Sequence, residues 1–135
     1  MTYNTEPIKT KKNGTNWTIR RGYEYLSDTI HFNGSDSMVW DKSYELIKNT
    51  GVRFVVSMPG FNGNGNRVYI KQFKRKTNLN LKYFLLPTRA KTEWRVANTL
   101  LDKGIKTFQP IAVAEKRALG SLRIDLIVSR EITNS

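Results

Sequence analysis

The sequence has no cysteine, which excludes disulfides and thiolate metal sites together. It has one histidine, His31, too few for a zinc site built on imidazoles. No run is long and apolar enough to span a bilayer. The first sixteen residues, MTYNTEPIKTKKNGTN, lack the apolar centre of a secretory signal. A cytoplasmic protein is expected. Acidic residues are also scarce, 11 Asp and Glu against 23 Lys and Arg, a formal charge of +12.

What is present suits one ordinary domain of 135 residues, with 39% hydrophobic side chains to build a core. The charge is uneven. Residues 1–60 hold 8 basic and 6 acidic side chains, whereas residues 61–135 hold 15 and 5. Between Arg67 and Arg95 there are nine basic residues and one acid, Glu93. Such a field attracts polyanions: nucleic acid, phosphorylated small molecules or an anionic membrane surface.

Residues 1–16 are rich in Lys, Thr and Asn and read as a tethering arm. Residues 17–40 mix aromatics with turn residues, a pattern compatible with short strands. SYELIKNTGVRFVVSM predicts strands near 43–48 and 52–58, joined by a tight turn at Asn49-Thr50-Gly51. RVYIKQF, residues 67–73, predicts an inner strand. After the basic linker KRKTNLNLKYFLLP comes the best helix signal, TRAKTEWRVANTLLDKG. Thr88 caps it, Ala90, Trp94, Ala97, Leu100 and Leu101 recur at helical spacing, and Gly104 stops it. Two strands follow, in PIAVAEK and LRIDLIVSREI. The expected fold is α+β, an antiparallel sheet of about five strands with one main helix packed on it. Residues 1–40 are expected to be an extension, partly flexible.

RVYIKQF poses a chemical question. Side chains alternate along a strand, so Lys71 shares a face with Tyr69 and Phe73. An ammonium group is thus aimed at an apolar layer. Glu93 lies three residues after Ala90 and four before Ala97, on the packing face of the helix. A buried unpaired charge costs on the order of several kcal/mol. The spacing therefore predicts that Lys71 and Glu93 meet. A strand lysine held by a helix glutamate is how protein kinases grip the phosphates of ATP.

The stretches VYIKQFKRKTNLNLKYFLL, AKTEWRVANTLLDKGIKTFQPIAVAE and LRIDLIVSREI resemble the lipopolysaccharide kinase family, which phosphorylates heptose or Kdo sugars of the inner core. The resemblance spans residues 43–132 and implies a kinase-like small lobe over 41–135 that ends at the hinge. It implies ATP as cofactor, with Mg2+ in the complete enzyme. It makes Lys71 the phosphate-contacting lysine, Glu93 its partner, Glu131 and Ile132 the adenine-binding hinge, and Gly51 part of the turn over the phosphates. Tyr69 falls on the adenine side of the cleft. An anionic glycolipid or phosphorylated sugar acceptor and peripheral contact with the inner membrane are implied partners.

Gly60, Gly63 and Gly65 do not fit G-x-G-x-x-G and read as a hairpin turn. No His-Arg-Asp-like or Asp-Phe-Gly-like segment is present, so the catalytic C-terminal lobe is expected to be absent and the chain alone inactive. Two rival readings stand beside the kinase. One is a small basic β-rich nucleic-acid-binding domain, supported by the charge and by aromatics near lysines. The other is a noncatalytic binding module derived from a kinase lobe.

Overall fold

A computed structural model describes residues 6–40, 43–59, 67–74, 87–105, 108–118 and 121–131. The linker 75–86, the glycine loop 60–66, Thr107 and Ile132 lie outside the described residues. The strands are β1 (Ile8–Lys12), β2 (Thr15–Ile19), β3 (His31–Phe32), β4 (Met38–Val39), β5 (Glu45–Asn49), β6 (Arg53–Pro59), β7 (Arg67–Phe73), β8 (Gln109–Ala118) and β9 (Ser121–Arg130). The helices are α1 (Leu26–Thr29) and α2 (Arg89–Asp102).

The α+β class holds, but the sheet is larger than expected. Seven strands pair in the order β1-β2-β8-β9-β7-β6-β5, every pairing antiparallel. Of the two extra strands, β1 lies within residues 1–16, expected to be an arm, and β2 runs from the end of that arm into the 17–40 segment, where short strands were expected. Asn13 and Gly14 both have positive φ, 51° and 81°, the backbone a two-residue hairpin turn requires. That turn folds β1 against β2, and β2 adds to the edge of β8. There is also a second helix, the single turn α1.

The inner position predicted for β7 is the one observed, between β6 and β9. Its two faces have different fates. Val68 and Ile70 point to the larger core, with Val56, Leu126 and Val128. Burying each such side chain stabilises the fold by roughly 1.5–3 kcal/mol. That face is covered by the segment carrying α1, β3 and β4, through Leu26, Ile30 and Met38, over Trp17 and Ile19. Gln72, 5% exposed, pins the cover down. Its amide nitrogen donates to Asp36 O (2.8 Å) and its carbonyl accepts from Met38 N (2.9 Å).

The opposite face carries α2. Thr88 caps it as predicted, its hydroxyl accepting from Lys91 N at 3.2 Å. Gly104, at φ 79°, closes it: Gly104 N donates to Leu101 O and Ile105 N to Leu100 O, a Schellman ending. The apolar stripe is buried less than its spacing suggests. Ala90 is fully buried and packs with Phe73, Val113, Ile127 and the partly buried Trp94. Ala97, Leu100 and Leu101 are only half-buried, and Val96 is exposed. The C-terminal half of α2 stands off the sheet and leaves a space.

Candidate nucleotide site

That space is a cavity of about 540 Å³ between the sheet and α2. Strand register sets its floor. Val55, Lys71, Ile127 and Val113 lie opposite one another across β6, β7, β9 and β8, and so share a face. The next row is Ser57, Tyr69, Ser129 and Pro110. Val55, Tyr69, Ile127 and Pro110 from these rows line the cavity, with Val96 and Leu100 of α2 facing them. Phe108 closes the far side, its ring edge-on to Tyr69 with centroids 5.8 Å apart.

Lys71 is the cation of this apolar space. Its Nζ lies 3.1 Å from Glu93 Oε1 and 3.0 Å from Oε2. Both residues line the cavity. The side chains are 29% and 42% exposed, so the pair sits at a mouth rather than in a sealed core. An ammonium has three N–H donors. The carboxylate takes two, and no other acceptor among the described residues hydrogen-bonds Nζ. Phe73 lies beside the ammonium, its ring centroid 5.7 Å away.

Asp125 and Arg20 also fix α2, a role that the sequence pattern assigned to neither. Asp125 accepts from Arg89 N (3.2 Å) and Ala90 N (3.0 Å), satisfying two of the amides that a helix start leaves unpaired. It is 5% exposed. Burial pushes its carboxyl above the usual carboxylate range, opposed by those two backbone bonds and helped by neighbouring Glu115. Glu115 lies across from Asp125 on β8 and is bridged to Lys91 at 3.1 Å. Arg20, just past β2, donates from Nη2 to Asn98 Oδ1 (2.9 Å) and from Nε to Pro110 O (3.1 Å). Its guanidinium also stacks over Trp94, 5.8 Å from the ring centroid. Burial lowers its affinity for the proton, but a guanidinium stays charged at neutral pH.

The family model for the lipopolysaccharide kinases (Kdo/WaaP) matches residues 38–135. The chain belongs to the lipopolysaccharide kinase (Kdo/WaaP) family. No curated protein and no solved structure matches it. Within this family chain the match takes in β4 to β9, α2 and the Lys71–Glu93 pair, and starts after β1, β2, α1 and β3.

Gly51 is exposed in the turn between β5 and β6, outside the cavity lining. The turn is braced by Thr50, whose Oγ1 accepts from Val52 N and Arg53 N. Glu131 is exposed, directly after β9. Ser129, two residues earlier, reaches the cavity wall. Among the described residues no group of three or more His, Cys, Asp or Glu side chains converges to hold a metal. Among them, too, no helix is long and apolar enough to cross a membrane.

Proposed function

We propose that this chain carries the nucleotide-binding small lobe of an ATP-dependent kinase that phosphorylates heptose or Kdo of the lipopolysaccharide inner core. The single observation that carries this reading is Lys71 Nζ held by both oxygens of Glu93 at the mouth of an apolar cavity. The cavity's size lies within the roughly 300–1,000 Å³ usual for small-molecule sites. Its walls suit a flat base, and Lys71, the one cation among its described lining residues, suits phosphates.

In this reading Lys71 would turn the donor that Glu93 does not take to the α- and β-phosphates. Glu93 holds the ammonium in place, so a ligand meets a group already oriented. Val55, Tyr69 and Leu100 enclose the base and keep water from it. The backbone around Glu131 and Ile132 hydrogen-bonds the base edge, and the turn at Gly51 lies over the phosphates. When bound, ATP would supply the phosphoryl group and Mg2+ would screen its charge. In this reading the ligands of that ion and the catalytic base belong to a helical second lobe, as the resemblance to the kinases implies. The excess of basic residues draws the phosphorylated acceptor and an anionic membrane face.

Binding of a fluorescent ATP analogue tests this, with wild type and Lys71→Met compared at matched salt. Saturable binding by wild type and its loss in Lys71→Met are expected. Equal binding by both proteins would reject the role given to Lys71. A nucleic-acid binder would instead bind single strands with a steep salt dependence that Lys71→Met leaves unchanged.

A further inference from the structure

Helix α2 is poorly anchored for an element that carries Glu93. Only Ala90 is fully buried. Its N-terminal half is tied to the sheet by Asp125, by Lys91 to Glu115 and by Lys71 to Glu93. Beyond Glu93 the described residues provide one hydrogen bond between α2 and the sheet, from Arg20 to Asn98. Ala90, Trp94 and Asn98 are spaced four apart and form one row along the helix. Arg20 grips that row twice, by the bond to Asn98 and by stacking on Trp94, while its Nε is fixed on Pro110 O of β8. Pro110 and Ala97 both line the cavity, so the clamp bridges its two walls.

Arg20 is held in turn by the hairpin. β1 and β2 pair in register, β2 adds to β8, and Arg20 N donates to Ile111 O at 2.8 Å. These residues precede the matched segment 38–135. We propose that Arg20 is a positioning residue. Through Asn98 and Trp94 it sets the stand-off of α2 from the sheet, and so holds Glu93 against Lys71 and fixes the width of the cavity. The N-terminal hairpin is then part of the site's machinery, not an appendage. A guanidinium suits this task because its planar fork satisfies two acceptors while its face stacks on an indole. A lysine cannot do all three. The functional half of the proposal rests on the nucleotide reading; the mechanical half does not.

The test uses the whole chain and the variants Arg20→Ala, Arg20→Lys, Asn98→Ala, Glu93→Gln and Arg20→Ala/Glu93→Gln. Two quantities are read: affinity for the fluorescent ATP analogue, and hydrogen exchange of the α2 amides against those of β8 and β9. Arg20→Ala is expected to speed exchange in residues 95–102 while β8 and β9 stay protected. It is also expected to weaken nucleotide binding by about three- to thirtyfold. Arg20→Lys and Asn98→Ala fall between it and wild type. In the Glu93→Gln background Arg20→Ala adds little further loss, because its effect passes through Glu93.

An equal loss of affinity in both backgrounds would overturn the proposal, as would unchanged exchange in α2. Loss of protection throughout the sheet would show a general structural role and overturn it too. If wild type binds no nucleotide, the nucleotide reading fails by itself. The exchange of α2 then decides the clamp: faster exchange in Arg20→Ala retains it, and unchanged exchange rejects it.

Discussion

Asp125 allows a prediction whose sign separates two views of a helix cap. Its carboxylate takes Arg89 N and Ala90 N at the start of α2 from a position 5% exposed. Replacing it with alanine orphans two amides at a buried helix start. Loss of a capping side chain costs roughly 0.5–2 kcal/mol, and two buried donors place Asp125→Ala at about 2 kcal/mol under acidic conditions. The pH dependence follows from burial. An exposed capping carboxylate is strengthened by ionisation, but burial raises Asp125 above its ordinary value. The folded chain therefore binds that proton more tightly than the unfolded one. Asp125's contribution is complete below the unfolded value of about 3.9 and declines as pH rises through the folded value. Asp125→Ala should cost more at about pH 3.5, below the unfolded value, than at about pH 7. Urea unfolding followed by the fluorescence of the three tryptophans measures it. A cost that grows with pH would refute the reasoning, because the two backbone bonds would then outweigh burial. No cost at either pH would remove Asp125 from the account of α2.

Other perturbations read other parts of the structure. Gln72→Ala strands Met38 N and Asp36 O, so a loss of about 1–3 kcal/mol in chemical denaturation is expected. The 34–39 segment should then exchange its amides faster than β7. Glu93→Gln should change stability by less than about 1 kcal/mol, since the pair is substantially exposed, yet weaken binding of the ATP analogue clearly. A large drop in melting temperature without a change in affinity would assign Glu93 to structure instead.

The elements that were legible in the sequence are those with a local signal. Thr88, the 3.6-residue spacing and Gly104 marked α2 at both ends, because caps and stops act within one turn. The alternation in RVYIKQF marked β7 as an inner strand with Lys71 on the α2 side. The cost of a lone ammonium left a snorkelling lysine open, and Glu93 on the helix face together with the family resemblance paired the two across 22 residues. The N-terminal hairpin was missed for a physical reason. β1 is an edge strand with no fully buried residue, so IKTKK has no apolar period to detect. β2 did carry one, in the buried Thr15, Trp17 and Ile19, and Asn13-Gly14 is a strong hairpin signal. The lysines and polar residues around them outweighed both. Asp125 and Arg20 could not have been found this way. Their partners are 35 and 78 residues distant, and only the sheet order brings them together.

In the proposed function the phosphates of a nucleotide meet Lys71 in the cavity between α2 and the sheet. The most direct measurement is a crystal structure of the chain with a non-hydrolysable ATP analogue. The account predicts the base among Val55, Tyr69 and Leu100. It also predicts an α- or β-phosphate oxygen within about 2.7–3.1 Å of Lys71 Nζ, with Glu93 still on the ammonium. Phosphates bound away from Lys71, with the Lys71–Glu93 pair undisturbed beside an unfilled cavity, would contradict it.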